Sequence, residues 1–235
     1  MRRVFRLLVR VVPLFWIAAC RDGPVNSSEA VSDAPADSAS TYLGRPIAPP
    51  LGHAQASWFD RPSRETTEFP DRVLDALRLT DTMRVADVGA GTGYFTFRLA
   101  PRLPHGQVYA VDIDSASIAD LARRRDSLGV TNVTVVRGTV SDPGLDSASV
   151  DVALVVDSYH EFSEPEAMGR ALVRALRPGG RLVLVEYRAE DPTLAVEPIH
   201  RMSAEQMRKE MAALGLRQVE AYDGLPQQHL LVFGR

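Results

Sequence analysis

Three closely spaced glycines are the residues in this chain best suited to hold a ligand against the backbone. Gly89, Gly91 and Gly93 follow a short apolar stretch and precede a helical pattern. Glycine lets the backbone approach a ligand closely and adopt a positive φ. A dinucleotide fingerprint would place its last glycine where the chain has Tyr94. Asp87, two residues before the first glycine, would repel a pyrophosphate and suits a cationic or amine-bearing ligand instead.

A second acid ends the next predicted strand. Asp112 lies 19 residues after Gly93. A carboxylate there can accept hydrogen bonds from both hydroxyls of a ribose, and the adjacent Ile113 can pack on an adenine ring. Because NAD sites use an acid in the same place, Asp112 alone leaves a nicotinamide cofactor open.

Three polar residues, Tyr159, His160 and Glu161, follow a strongly apolar segment. Histidine titrates near neutral pH, so His160 could remove a proton from a substrate, with Glu161 orienting the imidazole or binding the substrate. The competing interpretation is structural, with His160 and Glu161 capping the following helix and holding a loop.

Alternating strand and helix patterns would position these residues. The predicted strands are residues 84–88, 107–113, 133–136, 150–156, 181–187, 217–221 and 229–233, and the predicted helices are 69–79, 94–103, 115–128, 165–176 and 203–214. This alternation predicts an open α/β sheet with right-handed crossovers, closed by an antiparallel pair. Ligands bind such sheets at the carboxyl ends of the strands, where the three motifs fall.

Taken together, the motifs resemble class I S-adenosylmethionine-dependent methyltransferases over residues 69–235. The matching segments are the acidic glycine-rich motif at 87–93, the ribose acid Asp112 and the Leu-Arg-Pro-Gly-Gly turn at 176–180. The resemblance implies an α/β, Rossmann-like fold: a mostly parallel seven-stranded sheet with helices on both faces and an antiparallel last strand. It also implies S-adenosylmethionine as the cofactor.

The resemblance assigns roles residue by residue. The glycines would wrap the methionine part of the cofactor, with Asp87 orienting its amino group, Asp112 holding the ribose and Ile113 lining the adenine site. The implied cofactor-binding residues are Asp87, Gly89, Ala90, Gly91, Gly93, Asp112, Ile113, Thr139 and Asp157. An acid common in the family near the adenine amine is absent unless Asp142 replaces it. Tyr159, His160 and Glu161 fall where the family faces the methyl acceptor, and are the predicted catalytic residues.

The N-terminus predicts an export signal. A positive segment with four arginines precedes an apolar stretch at residues 11–19, and the run Ile17-Ala18-Ala19-Cys20 resembles a bacterial lipobox, whose cysteine is lipidated. The alternatives are cleavage elsewhere, or an uncleaved apolar terminus with a chance cysteine. The expected organisation is a lipoprotein-type signal peptide at 1–19, a disordered tether at 20–41, an N-terminal arm or lid at 42–68 and the methyltransferase domain at 69–235.

The export prediction places the protein in the bacterial cell envelope, facing the periplasm and attached to the membrane through a lipid on Cys20. S-adenosylmethionine is made in the cytoplasm, so a cytoplasmic location is the alternative. Residues 42–48 and 58–65 resemble the entry segments of bacterial signal-bearing methyltransferases. Trp58, Arg61, Arg64 and Glu65 would form a lid over the crevice, or, for Trp58 in particular, a packing arm.

Composition narrows the partners. The chain has 235 residues, 45% of them apolar, and a net charge of −3, which argues against a nucleic-acid binder. The sequence predicts no metal site, because neighbouring His160 and Glu161 cannot share a helix face. A small molecule is the expected acceptor. Glu186, Tyr187 and His200 could line its pocket or lie at the surface, and surface is favoured for His200. The alternative functions are a non-catalytic S-adenosylmethionine or nucleotide sensor and an NAD(P)-dependent oxidoreductase; the oligomeric state is left open.

Overall fold

The computed structural model describes residues 40–235, without the side chains of residues 54, 56 and 57. The predicted signal peptide, the tether up to residue 39 and the predicted lipidation site Cys20 lie outside the described residues. Among the residues that are described, no helix is long and apolar enough to cross a membrane.

Seven strands form one sheet whose spatial order is β5-β4-β3-β6-β7-β9-β8. They are β3 Arg84–Val88, β4 Gln107–Asp112, β5 Val133–Arg137, β6 Val150–Val156, β7 Leu176–Tyr187, β8 Arg217–Tyr222 and β9 Gln228–Gly234. Neighbours from β5 to β7 are parallel, whereas β9 runs antiparallel to both β7 and β8. The predicted mostly parallel seven-stranded sheet with an antiparallel last strand is confirmed.

Helices cover both faces of this sheet. The longer ones are α3 Pro70–Ala76, α5 Ser115–Leu128, α6 Pro165–Ala175 and α7 Ala204–Ala213, with one-turn α4 Thr96–Leu99 after the glycine motif. Alternate strand residues enter opposite cores, since successive side chains of a strand point to opposite faces. Val85 packs with residues of α3, α4 and α5, and its neighbour Ala86 with residues of α6 and α7.

The segment before the sheet forms small elements of its own. A short hairpin pairs β1 Thr41–Tyr42 with β2 Arg45–Pro46, and two one-turn helices follow, α1 Ala56–Phe59 and α2 Arg64–Thr67. We call residues 42–68 the N-terminal arm.

Two predicted helices are shorter in the structure, and a proline helps to set one boundary of each. The helix predicted over 94–103 is α4 followed by a 3-10 turn, Ala100–Arg102. Pro101 has no N–H to continue the α-helical hydrogen bonds. The helix predicted from 69 begins at Pro70, because Phe69 has a positive φ of 53° and Pro favours the first helical position.

Candidate active site

A cavity of about 420 Å³ opens at the carboxyl ends of the central strands. The chain leaves β3 toward β4 on one side, while β6 joins β3 on the other. Such a switch point leaves a crevice beyond the strand ends, where open α/β sheets bind ligands. All nine predicted cofactor residues except Gly93 line this cavity: Asp87, Gly89, Ala90, Gly91, Asp112, Ile113, Thr139 and Asp157.

Glycine is needed at the three positions for different structural reasons. All have positive φ, at 76°, 53° and 82° in chain order. A Cβ on Gly89 would lie 2.5 Å from the Oγ atom of Ser158, and one on Gly93 would lie 2.5 Å from the ring of Phe97, so both positions exclude a side chain. A Cβ on Gly91 would meet none of the described atoms within 4 Å. Gly91 therefore leaves open space on the cavity side.

Asp112 connects the glycine turn to the second strand end. Its Oδ2 accepts a hydrogen bond from the N–H of Gly91 at 2.8 Å, and its Oδ1 accepts one from the N–H of Asp114 at 2.8 Å. Burial raises the pKa of Asp112, although these backbone donors oppose the change. Each carboxylate oxygen has further acceptor capacity. Ile113 beside it is 45% exposed and offers an apolar surface to the cavity.

Asp87 lies deeper, at the base of the turn. It is buried, and its Oδ2 accepts a hydrogen bond from the hydroxyl of Thr96 at 2.6 Å. Burial raises the pKa of Asp87 to about 6, with the bond from Thr96 acting in the opposite direction. Burial therefore makes ionisation of Asp87 costly, and a cationic group near it would favour the charged form.

Asp157 ends β6 and holds the N-terminal arm to the sheet. Its carboxylate accepts hydrogen bonds from Arg64 Nη2 at 3.1 Å and from Gln228 Nε2 at 2.8 and 2.9 Å. Arg64 also donates from Nε to Glu68 at 2.6 Å. Burial raises the pKa of Asp157 to about 8, and the nearby Glu68 adds to the shift. Asp157 lines the cavity, but its carboxylate is hydrogen-bonded within the protein.

The predicted catalytic triplet forms a 3-10 turn, Tyr159–Glu161, and its members separate. Of the three, only Glu161 lines the cavity. The expected position of Tyr159 beside a methyl acceptor is wrong. Its side chain is fully buried and packs edge-on against Phe162 in the core. The Tyr159 ring belongs to the hydrophobic cluster that also contains Met168 and Leu172.

His160 is buried behind Glu161. Its Nδ1 lies 2.6 Å from Glu186 Oε2, and its Nε2 lies 3.1 Å from Nδ1 of His200. Burial alone would lower the pKa of His160, but the negative charges of Glu186 and Glu161 outweigh it and raise the pKa to about 10. The expected surface position of His200 is wrong, since it is 8% exposed. Burial and the charge of His160 lower the pKa of His200.

Two further expectations at the cavity rim have different outcomes. Thr139 lines the cavity, and its hydroxyl accepts from the N–H of Asp142 at 3.0 Å. Asp142 does not replace the missing family acid, because its carboxylate binds Arg174 at 2.7 Å and the N–H of Gly144 at 2.8 Å.

More residues of the N-terminal arm line the cavity than the sequence indicated. Pro50, Gly52, His53, Phe59 and Arg64 line the cavity. Trp58 is 40% exposed, and the guanidinium carbon of Arg61 lies 3.8 Å from the centre of the Trp58 ring. Trp58 is not among the described residues that line the cavity.

Sequence reasoning missed two buried residues of this polar network, Glu68 within the arm and Gln228 of β9. One signal could have indicated Gln228: together with His229 it precedes four consecutive apolar residues of the strand. A polar residue there needs a buried partner.

The sequence of this chain matches a described family over residues 79–228, and the description of that family is "Methyltransferase domain". The match covers more than half of the chain, and the chain belongs to this methyltransferase domain family.

Individual relatives agree with the family. The chain is 30% identical over 139 residues to an uncharacterized methyltransferase-like protein of Schizosaccharomyces pombe, covering 57% of this chain and 52% of that protein. It is 34% identical over 144 residues to a protein-L-isoaspartate O-methyltransferase of Koribacter versatilis, covering 61% and 57%. The chain spans about half the length of the curated relatives it matches.

Among solved structures, a SAM-dependent methyltransferase from Aquifex aeolicus superposes with a TM-score of 0.73. The alignment covers 78% of this chain and 98% of that one, at 23% identity. At this identity the likeness establishes the fold, which is the class I methyltransferase fold expected from the motifs.

Proposed function

We propose that the protein transfers a methyl group from S-adenosylmethionine to a small-molecule acceptor. One observation carries the proposal: the Gly91 N–H is hydrogen-bonded to the Asp112 carboxylate at the mouth of the cavity. This bond unites the open glycine turn and the ribose-type acid in one site. Family membership supports the same cofactor.

The residues present fit S-adenosylmethionine. Gly91 leaves room that a side chain would fill. Asp112 retains acceptor capacity for two hydroxyls, Ile113 offers an apolar surface, and Asp87 can accept from an ammonium group. When bound, the cofactor supplies an electrophilic methyl group on a sulfonium. The chain contributes position and orientation, which by themselves account for much of the acceleration of a two-substrate reaction.

The acceptor side of the cavity is assigned to Glu161. Its carboxylate lies on the cavity wall together with Phe162 and Met168. It can accept a hydrogen bond from an acceptor hydroxyl or amine and hold the released proton. A cavity of about 420 Å³ falls within the 300–1,000 Å³ typical of small-molecule sites.

Calorimetry on the full-length chain tests the proposal. We expect S-adenosylmethionine and S-adenosylhomocysteine to bind and NAD to fail. Asp112→Ala should weaken binding about 10- to 100-fold, because a charged hydrogen-bond partner contributes about 1.5–3 kcal/mol. Gly91→Val should weaken it by occupying the open space. Asp126→Ala, at the far end of α5, is the matched control and should bind like wild type.

Two results would contradict the proposal. Binding of NAD alone would indicate an oxidoreductase. Tight binding without transfer of labelled methyl to any member of a broad small-molecule library would favour a sensor.

A further inference from the structure

Two histidines and a glutamate meet beside the cavity. His160 Nε2, His200 Nδ1 and Glu161 Oε1 come from two separate 3-10 turns, Tyr159–Glu161 and Pro198–His200. The separations are 3.1 Å between the two nitrogens, 3.6 Å from His160 to the oxygen and 3.7 Å from His200 to the oxygen. Three groups able to bind a metal thus form a nearly equilateral triangle.

The size of the triangle matches a metal centre. Ligand atoms around a tetrahedral Zn²⁺ with bonds of 2.0–2.1 Å lie about 3.3–3.4 Å apart. A circle through three atoms at the observed separations has a radius of about 2.0 Å. A cation close to the plane of the triangle could therefore contact all three atoms without movement of the backbone.

One atom of the triangle is an unsatisfied carboxylate oxygen within the described part of the chain. Glu161 Oε1 is buried and has no hydrogen-bond partner among the described residues. Buried carboxylate oxygens are costly when unpaired, so such an atom indicates a ligand or an ion.

The outer contacts of His160 also suit a metal ligand. Its Nδ1 lies 2.6 Å from the fully buried Glu186 carboxylate, which also accepts the N–H of Tyr159 at 2.8 Å. Metal-binding histidines usually donate their second ring N–H to a carboxylate, which fixes the tautomer and turns the other nitrogen toward the metal. Glu186 thus holds the Nδ1 side of the ring, and Nε2 of His160 faces the other two atoms of the triangle.

We propose that His160, His200 and Glu161 bind one divalent transition-metal ion, with Zn²⁺ as the best match. Two imidazoles and one carboxylate are a ligand set that Zn²⁺ and Fe²⁺ accept, with positions left for water or substrate. The absence of a metal site expected from the sequence rested on the adjacency of His160 and Glu161. The third ligand, His200, lies 40 residues away.

The metal would lie at the border of the proposed methyl-transfer cavity, because Glu161 also lines that cavity. A bound cation lowers the pKa of a coordinated hydroxyl or water. This role rests on the proposed function, whereas the metal site itself does not. The test therefore measures the metal and the cofactor separately.

The experiment titrates chelator-stripped full-length protein with Zn²⁺ against a chromophoric chelator. The Cys20→Ala background removes the chain's one thiol as a competing ligand. We expect one Zn²⁺ per chain. Glu186→Gln should weaken the affinity about 10- to 100-fold, as is typical for residues that orient metal ligands. His200→Ala and Glu161→Gln should weaken it further, and Co²⁺ substitution should give a visible absorption band that both variants lose.

The matched control is His105→Ala, which removes an exposed histidine remote from the triangle in sequence. It should keep the wild-type stoichiometry and affinity. Failure of wild type to bind Zn²⁺, or equal binding by wild type, Glu161→Gln and His200→Ala in folded form, would overturn the proposal and leave a proton-sharing pair of histidines. Loss of S-adenosylmethionine binding with Zn²⁺ binding intact would contradict the proposed function alone.

Discussion

Asp87 shows how a binding site opposes folding at the level of one residue. Its carboxyl is buried at the base of the glycine turn, with Thr96 as its side-chain donor. Burial favours the protonated, neutral form of this carboxyl when no ligand cation lies beside it. A cationic ligand group would reverse that preference, so the ionised Asp87 carboxylate would stabilise the ligand complex but not the ligand-free fold.

The pH dependence of stability follows from the raised pKa of Asp87. The folded-state value is about 6, above the ordinary 3.8. Between these values the folded state retains a proton that the unfolded state has released, so rising pH lowers the free energy of unfolding. This contribution is absent below about pH 4 and complete above about pH 6.

We therefore expect Asp87→Asn to stabilise the ligand-free protein at pH 7, by up to about 3 kcal/mol, because two pKa units correspond to about 2.7 kcal/mol. The gain should disappear at pH 4, while affinity for S-adenosylmethionine should fall. Urea unfolding at both pH values measures the first effect, and calorimetry the second. Equal stability of the variant and wild type at pH 7 would show that Asp87 ionises freely in the fold.

At the scale of elements, the N-terminal arm is fastened to the sheet by buried charges. Arg64 of α2 is 3% exposed and pairs with Glu68 at 2.6 Å and with Asp157 of the β6 end at 3.1 Å. Arg61 also binds Glu68, which accepts a hydrogen bond from Tyr187 at 2.7 Å. The arm is therefore part of the cavity wall.

Removing Arg64 should be severe. We expect Arg64→Ala to lower the free energy of unfolding by about 3–5 kcal/mol, because it leaves the buried Asp157 carboxyl without a cation and Glu68 with Arg61 alone. Arg78→Ala is the matched control: its pair with Glu220 is exposed, and exposed pairs contribute about 0–1 kcal/mol. Chemical denaturation of both variants checks the difference. Similar losses would mean that the arm docks through apolar packing alone.

Elements differ in how far the sequence predicts them. The continuous apolar run of β6 and the capped, glycine-terminated α5 match their predicted bounds, since local pattern and end signals determine both. Asp112 and the glycines lie at strand ends, positions that the local sequence pattern is able to predict. The sequence favours a surface position for His200, because its partner His160 lies 40 residues earlier in the chain and no local pattern indicates their contact.

At the scale of the whole molecule, we propose that the body is attached to the cell envelope through a lipid on Cys20. The support is the lipobox-like run before this single cysteine and the acidic, serine-rich stretch after it. Two acyl chains would hold the protein stably, since each buried CH₂ contributes about 0.8 kcal/mol.

Labelling with a radioactive fatty acid tests the anchor. We expect the full-length protein to incorporate the label and to sediment with membranes. Cys20→Ala should do neither, while its methyltransferase body still binds S-adenosylmethionine. Unlabelled wild-type protein in the soluble cytoplasmic fraction would contradict the export proposal and remove the question of how cofactor reaches the site.

The position of β9 also sets the order of events during synthesis. Its seven residues, Gln228–Gly234, lie between β7 and β8 and are the partner of each. Translation proceeds from the N-terminus, so β8 emerges before the strand it needs, and β7 keeps an open edge until position 234 has left the ribosome. Unpaired edges recruit other strands. A ribosome that pauses before β9 has emerged therefore leaves β7 exposed to pairing with strands of other molecules.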